Sequence, residues 1–195
     1  MDFDKVIEKR KSVRSFKNKV VNWKDIVYVV EAATKGPGAG GDLPLKFIIV
    51  ENPKSIQRLA EAAEQSWIAD AGIIIAVVSE DKHLENLYGD KGRIYSRQQA
   101  GAAISTILLK LTDLGLAGCW VGSYNDEKVK QVLHVPAGKQ VEAIIPIGYE
   151  NPVPEKKRKK MTFEFYLRWE ELGKKKRHPI FIERKSVSDI HGHPQ

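Results

Sequence analysis

The stretch that decides the fold lies just past the middle of the chain and reads Leu114-Gly115-Leu116-Ala117-Gly118-Cys119-Trp120-Val121-Gly122. It follows a long run of apolar residues at helical spacing that starts near Ser96, and Gly115 is suited to end that helix in a left-handed conformation. Trp120-Val121 is then predicted to be a short strand. A cap followed by a core strand explains Gly115 but not Gly122, where a small residue would leave backbone amides open to a flat ligand.

Outside this stretch, helical and strand patterns alternate along the chain. Helices are predicted to begin near Phe3, Asn22, Pro53 and Asn125, and both asparagines are candidate N-caps. Strands are predicted at 46–50, 73–78 and 141–149. The second strand is apolar throughout, which is typical of a strand buried on both faces. The alternation predicts an α+β fold with three layers, α/β/α.

The alternating pattern weakens after residue 150. We therefore expect one domain over residues 1–150 and a C-terminal extension over 151–195. Within the extension, Thr162 to Leu172 is compatible with one helix that ends at Gly173. The extension has too little apolar surface to form its own core, so it is expected to pack on the main domain or on a partner subunit, or to stay loose.

The composition indicates a globular protein of a reducing compartment. Hydrophobic residues make up 42% of the chain, and the longest apolar run, 71–78, is far too short to cross a membrane. The acidic N-terminus lacks the apolar core of a secretory signal, so a cytoplasmic location is expected. Cys119 is the single cysteine, which excludes an intrachain disulfide. We interpret it as a small buried hydrophobe rather than a nucleophile.

The charge is basic, with a net value of +7 from 32 Lys and Arg against 25 Asp and Glu. Two basic runs, 156–160 and 174–178, are not interleaved with aromatic residues as a nucleic-acid stacking surface would be. Nucleic acid is therefore an improbable partner, and a phosphorylated small molecule fits the charge better. His191 and His193 near the C-terminus would bind a metal only adventitiously, so no metal site is expected.

A cationic cluster follows the first predicted helix and reads Arg10-Lys11-Ser12-Val13-Arg14. Arginine offers a bidentate fork to a phosphate, lysine a point charge and serine a hydroxyl. Cations at the C-terminus of a helix also complement its dipole. That second explanation covers Arg10 and Lys11 but not Arg14, which lies beyond the helix.

A glycine-rich loop at 36–44 precedes the first predicted strand. It is not a P-loop, because no Gly-Lys-Ser/Thr follows, and it is not a dinucleotide fingerprint, because a helix precedes it and a strand follows. Its four glycines and two prolines indicate a tight loop where backbone closely approaches another group. Taken alone, it would be explained by an ordinary helix-to-strand connection.

In this order and spacing the three segments resemble the nitroreductase-like family of FMN-dependent oxidoreductases, over about residues 3–149. The family's Arg-Arg/His-Ser-x-Arg/Lys motif matches 10–14, its Pro-Ser-x-x-Asn-x-Gln-Pro loop matches 37–44, its Leu-Gly-Leu-Gly-x-x-Trp-x-Gly segment matches 114–122, and its Gly-Tyr matches 148–149. The resemblance implies a nitroreductase-like fold whose central mixed, mainly antiparallel sheet is flanked by helices. It also implies a domain-entwined homodimer with two FMN sites at the interface.

The resemblance assigns roles to residues by position. Arg10, Lys11 and Ser12 would hold the FMN phosphate and ribityl chain, and the C-terminal extension would complete the phosphate site through Arg158 and Lys160. No side chain is expected to act as a catalytic acid or base, because the cofactor carries the hydride chemistry.

The flavin ring is assigned a second set of residues. Arg14 would face its N1–C2=O edge, where a cation offsets negative charge. Val121 and Gly122 would present backbone N–H groups near N5 and O4, and Gln65 would reach the pyrimidine edge. The partner subunit's glycine-rich loop would contribute Pro37, Gly38, Ala39 and Gly41.

The implied reaction is ping-pong: NAD(P)H reduces the flavin, which then reduces a quinone, a nitroaromatic or a similar flat acceptor. The loop departs from the family pattern, since Gly38, Gly41 and Leu43 stand where Ser, Asn and Gln are usual. Each lost hydrogen bond is worth about 0.5–1.5 kcal/mol. We expect weaker FMN binding, unless backbone amides of the glycines substitute.

Two alternatives remain open. One is a specialised relative that cleaves flavin or dehalogenates an aromatic substrate, for which residues 79–93 form the only insert that could act as a lid. The other is a non-catalytic protein that binds FMN or nucleic acid, which the net charge and the altered loop would support.

Overall fold

The structure is a computed structural model that describes residues 1–152 and 162–175. The chain divides into two compact units, Met1–Val153 and Pro154–Gln195. In the second unit, the prediction of one helix over 162–172 is wrong, since only a 3₁₀ turn forms at Phe163–Phe165. The guanidinium of Arg168 donates to the carbonyls of Glu164 and Phe165, at 3.2 and 3.0 Å, and so occupies acceptors that helical N–H groups would use.

The first unit contains six α-helices among its described residues. They are α1 (Phe3–Lys9), α2 (Trp23–Thr34), α3 (Pro53–Ala62), α4 (Asp81–Tyr88), α5 (Lys91–Asp113) and α6 (Asp126–Leu133), with a 3₁₀ helix at Ser66–Asp70. Asn22 and Asn125 cap α2 and α6 through side-chain oxygens that accept backbone N–H groups, as predicted. Helix α5 begins five residues before the predicted Ser96, because the insert at 79–93 is itself helical.

The sheet has four strands in the order β1-β2-β4-β3: β1 (Leu45–Val50), β2 (Ile73–Ser79), β3 (Ala117–Gly118) and β4 (Gln140–Gly148). Its ladders are antiparallel, and a parallel bridge joins Ser12 to Gly118. The mixed, mainly antiparallel sheet that the resemblance implied is therefore confirmed.

The short strand β3 forms three residues earlier than predicted. Leu116 N–H donates to the carbonyl of Leu111 across the left-handed Gly115, so the chain enters the sheet at once. The ladder then breaks opposite Pro146, which accepts from Cys119 N–H but has no N–H to return. Val121 resumes the same register as a single bridge to Ile144.

Two apolar clusters lie on opposite faces of the sheet, because successive side chains of β2 and β4 point in opposite directions. Ile74, Ala76 and Val78 pack with α3, the 3₁₀ helix and α6 on one face. Ile73, Ile75 and Val77 pack with α2 and α5 on the other. The predicted three-layer α/β/α arrangement is confirmed, with β2 buried along its whole length. No helix within residues 1–152 or 162–175 is long and apolar enough to cross a bilayer.

Helices α4 and α5 meet at Gly92, where a Cβ would lie 2.3 Å from the backbone carbon of Leu84. We expect Gly92→Ala to force the helices apart and to lower the free energy of unfolding by about 1–3 kcal/mol. Gly101 in the same helix is the matched control, since a Cβ there meets only the Trp120 ring, at 3.6 Å. Gly101→Ala should be neutral or stabilise by about 0.5–1 kcal/mol. Urea denaturation measures both; equal destabilisation would contradict the close contact.

Candidate active site

The cationic cluster lies on an extended segment that follows α1 and runs along the sheet. Ser12 bridges Gly118, and Val13 N–H donates to the Gly118 carbonyl at 3.2 Å. Val13 is buried in the core, and its two neighbours on the extended segment, Ser12 and Arg14, point the opposite way and are exposed. The sheet therefore fixes the two predicted ligand-binding side chains on the outer face of this segment.

Trp67, which no motif in the sequence indicates, lies between Arg14 and Gln65 and contacts both. The Arg14 guanidinium carbon lies 6.0 Å from the centre of the Trp67 ring. The Trp67 Nε1–H donates to Gln65 Oε1 at 3.2 Å, and Gln65 Nε2 donates to the carbonyl of Ser123 at 3.3 Å. This chain of contacts links Arg14 and Gln65 to the backbone of Ser123, the residue that follows Gly122.

Lys11 and Ser12 have protein partners at this site. Lys11 Nζ forms a salt bridge of 2.8 Å with Glu150, so a phosphate would have to compete for this cation. Ser12 lies against the thiol of Cys119. Burial raises the pKa of that thiol, while the Arg14 charge and the Ser12 hydroxyl act in the opposite direction. Cys119 is 1% exposed, which confirms that it is a small buried hydrophobe.

The two backbone donors predicted after β3 differ in availability. The N–H of Val121 donates to the Ile144 carbonyl at 3.1 Å and its side chain is buried, so its predicted role as a donor to the flavin is wrong. The isolated bridge beyond Pro146 takes up this amide. Gly122 is exposed, and the space where its Cβ would point contains only Trp120 Nε1, at 3.6 Å. Gly122 is thus the position where a flat group has open access to backbone.

The glycine-rich loop folds into a tight turn. Gly41 N–H donates to the Gly38 carbonyl and Asp42 N–H to the Ala39 carbonyl, at 3.2 and 3.1 Å. A Cβ at Gly38 would lie 2.1 Å from the Asp42 carbonyl oxygen, so only glycine fits there. The Gly41 amide is used within the turn and is not available to substitute for a lost side chain.

The loop is held by contacts with α4 and α5 of its own chain. Ala39 N–H donates to Oε1 of Gln99 on α5 at 3.2 Å, and His83 Nε2 lies 3.2 Å from the Asp42 carboxylate. A Cβ at Gly40, whose φ is +64°, would lie 2.5 Å from the Tyr88 hydroxyl. The insert at 79–93, considered as a lid, therefore contacts the loop.

A cavity of about 400 Å³ lies between the loop, the end of α4 and the first half of α5. Its lining residues are Pro37, Gly38, Ala39, Gly40, Tyr88, Tyr95, Gln98, Gln99 and Ala102. Three of the predicted loop residues, at 37–39, line it, whereas those at 10–14, 65 and 122 do not. Arg158 and Lys160, predicted as a second phosphate grip, lie outside the described residues.

The chain also matches the model of a known protein family. The model of the nitroreductase family matches residues 7–69 and 60–149. The chain belongs to the nitroreductase family. The prediction of an oxidoreductase of this family is confirmed, and so is its fold.

Two relatives and one solved structure illustrate the range of the nitroreductase family. The chain is 25% identical to an iodotyrosine deiodinase of Thermotoga neapolitana, over 81% of this chain and 94% of that protein. It is 28% identical to a Methanothermobacter thermautotrophicus protein provisionally assigned as an NADH dehydrogenase/NAD(P)H nitroreductase, over 78% and 80%. An FMN-dependent nitroreductase of Clostridium difficile superposes with a TM-score of 0.73 at 21% identity, covering 85% of this chain and 98% of that one.

A charged cluster fixes the start of α4 and hence the insert at 79–93. Arg97 donates to both carboxylate oxygens of Asp81, at 2.6 and 2.7 Å, and to Glu142 of β4 at 2.6 Å. Burial alone would raise the pKa of Asp81, but the hydrogen bonds and charge of Arg97 hold it below its ordinary value. Burial raises the pKa of Glu142 despite the same cation.

Replacing Arg97 by Met should leave two shielded carboxylates without their cation. We expect a loss of about 2–4 kcal/mol in unfolding free energy at pH 8. Both carboxyl pKa values in the folded variant would then lie above their unfolded values, so stability should fall as pH rises from 4.5 to 8. Urea denaturation at several pH values checks this. Arg93→Met, which removes a more exposed cation, is the control and should change stability by less than about 0.5 kcal/mol at either pH.

Proposed function

We propose that this chain is an FMN-dependent oxidoreductase that uses NAD(P)H to reduce a quinone, a nitroaromatic or a similar flat acceptor by a ping-pong mechanism. The observation that carries the proposal is the Arg14–Trp67–Gln65 chain of contacts beside the open backbone of Gly122. It supports the proposal because it links a cation and a side-chain amide to the backbone next to Gly122, which is exposed. The FMN-dependent relative and the provisionally assigned NAD(P)H nitroreductase support the choice of cofactor and donor.

The donor set fits FMN. Arg10, Lys11 and Ser12 would hold the phosphate and ribityl chain, Arg14 would face the pyrimidine side of the ring, and Gly122 would approach the ring by its backbone. The Gln65 side-chain oxygen accepts from Trp67 and its nitrogen donates to Ser123. Gln65 would therefore act by packing against the flavin and by positioning Trp67. Bound FMN would supply the hydride and electron transfer that no side chain of this surface can carry out.

The protein's part is to bind and orient the flavin and to keep reactive side chains away from it. Arg14 is exposed and, among the described residues, stacks on Trp67 without a carboxylate partner, so its charge is available to the ligand. Cys119 beneath it is buried with a raised pKa, so it would neither attack a bound ring nor add a second anion. No general acid is assigned, and the proton needed by the acceptor would come from water.

We also propose a homodimer in the cytoplasm, in which the partner subunit's glycine-rich loop completes each site. In this chain the loop is tied to Gln99 and Asp42 is close to His83, away from the chain's own cationic cluster. A loop that is fixed in this way can contact the FMN site of the partner subunit. The C-terminal extension, with Arg158 and Lys160, is proposed to complete the phosphate site.

A dehalogenating activity is the second candidate, favoured by the similarity to the iodotyrosine deiodinase. The cavity argues against it as the main activity. Its described lining contains no charged side chain to meet the zwitterion of an amino-acid substrate. Neutral flat acceptors suit it better.

Anaerobic titration tests the main proposal. The purified protein should show the absorbance bands of flavin, lose them on addition of NADH or NADPH, and regain them on addition of a quinone or nitroaromatic. Each half-reaction should proceed with its own substrate alone, as a ping-pong mechanism requires. Release of iodide from 3-iodotyrosine, with no reoxidation by quinones, would favour the second candidate. A colourless protein that neither binds added FMN nor reacts with nicotinamide would overturn both.

Arg10→Ala tests the phosphate assignment. The backbone N–H of Arg10 donates to the carbonyl of Val6 at 2.9 Å and caps α1, and this bond survives loss of the side chain. The variant should therefore stay folded but bind FMN at least tenfold more weakly, because it loses a charge-assisted contact worth about 1.5–3 kcal/mol. Arg58→Ala, which removes an exposed arginine of α3, should leave FMN affinity unchanged. Unaltered FMN occupancy in Arg10→Ala would refute the assignment.

A further inference from the structure

Glu150 directly follows β4 and is held by its backbone against the extended segment after α1. It forms an antiparallel bridge with Phe16, and the N–H of Lys17 donates to the carbonyl of Tyr149 at 2.8 Å. The two stretches pack closely, since a Cβ at Gly148 would lie 2.8 Å from the Phe16 ring. The main chain at Glu150 is therefore fixed, and only its side chain can move when a ligand binds.

The Glu150 carboxylate contacts a cation that is assigned to the FMN phosphate. Its Oε1 lies 2.8 Å from Lys11 Nζ, and the Lys11 and Glu150 side chains are 45% and 36% exposed. Neither side chain is locked in the core, so rotation of the side chains is enough to open the salt bridge. Because the pair is partly solvated, its own stability is modest and a ligand of higher charge can compete with it.

A phosphate that binds at Lys11 meets the Glu150 carboxylate in one of two ways. If Lys11 exchanges the carboxylate for the phosphate, the salt bridge is lost. If Lys11 keeps both, two anions lie close to one ammonium group and repel each other. Either arrangement weakens the binding of a phosphate, whereas a flavin without a phosphate is not affected.

We propose that Glu150 is a specificity-determining residue of the flavin site, because its carboxylate competes with the ligand phosphate for Lys11. It thereby lowers the preference for FMN over riboflavin, the same flavin without its phosphate. The inference rests on the proposed function, since it takes the assignment of the phosphate to residues 10–12 as given. Its consequence is that bound FMN exchanges with free flavin more readily than the cations alone would allow.

Fluorescence titration of the full-length protein with FMN and with riboflavin tests the proposal, after any bound flavin has been removed by dialysis. The two probes share the ring and the ribityl chain and differ only in the phosphate. Glu150→Gln removes the charge and keeps the shape of the side chain. We expect it to bind FMN about fivefold more tightly and to change riboflavin affinity by less than about twofold.

Glu80→Gln is the matched control, since Glu80 forms a comparable salt bridge of 3.3 Å with Lys139. Lys139 precedes β4 and Glu150 follows it, so the two salt bridges lie at opposite ends of this nine-residue strand. A strand of that length spans about 30 Å, well beyond the screening length of about 10 Å at 0.1 M salt. The control makes the same change in net charge and should leave the affinities for both flavins unaltered.

Lys11→Met shows whether Glu150 acts through Lys11. In the Lys11→Met background, Glu150→Gln should change FMN affinity by less than about twofold, since the cation for which the two anions compete is gone. Glu150→Ala replaces Glu150→Gln if circular dichroism shows that the glutamine variant does not fold. No gain in FMN affinity, an equal gain for riboflavin, or the same gain with and without Lys11 would overturn the proposal.

The outcome can be told apart from failure of the proposed function. Selective tightening of FMN binding in Glu150→Gln, in a protein whose flavin is not reduced by NADH or NADPH, would leave the role of Glu150 standing and remove the enzymatic role. NAD(P)H-dependent reduction of bound flavin, with the same FMN affinity in Glu150→Gln as in the unsubstituted protein, would leave the enzymatic role standing and overturn the role of Glu150.

Discussion

The backbone of Gly118 is bonded on two sides, and the site depends on this double pairing. On one side it pairs with Ile147 of β4, and on the other it bridges Ser12 and accepts from Val13 N–H. A Cβ there would lie 3.1 Å from Leu111 and 3.2 Å from the Pro146 carbonyl, so the close approach of α5, β4 and the N-terminal segment needs a residue without one. Gly118 thus joins the cationic cluster to the sheet, and the positions of Ser12 and Arg14 follow from the pleat.

Much of the fold could be predicted from the sequence because its signals are local. Asparagine caps, the run of Ile73 to Val78 and the helix ending at Gly115 each act over a few residues, and the structure has them where predicted. The point where the β3 ladder breaks could not be predicted, because it depends on Pro146, which is distant in the sequence and pairs with Cys119 only in the fold. The absence of a helix over 162–172 likewise depends on the hydrogen bonds that the Arg168 guanidinium donates to the carbonyls of Glu164 and Phe165.

The candidate site was predictable only in part, and for a related reason. The cationic cluster and Gly122 are recognisable as motifs. Trp67 and Gln99 are not, since a tryptophan after a helix and a glutamine in a helix are ordinary until their partners are known. Val121 was predicted to have a free backbone N–H, but in the structure this N–H donates to Ile144 of β4. Residues that hold other residues in place make contacts with partners distant in the sequence. No short sequence motif indicates them.

The glycine-rich loop shows how a departure from a family pattern can follow from geometry. With a serine at position 38 the Cβ would clash with the Asp42 carbonyl. At Gly40 a side chain would clash with Tyr88, and the left-handed φ of this residue would strain any residue other than glycine. The turn therefore excludes the side chains that the family pattern would place at position 38. What replaces them is contact with α4 and α5: Ala39 to Gln99 and Asp42 to His83. In this chain the polar side chains at the loop come from the helices behind it, so any selectivity that the loop loses would have to reside in those helices.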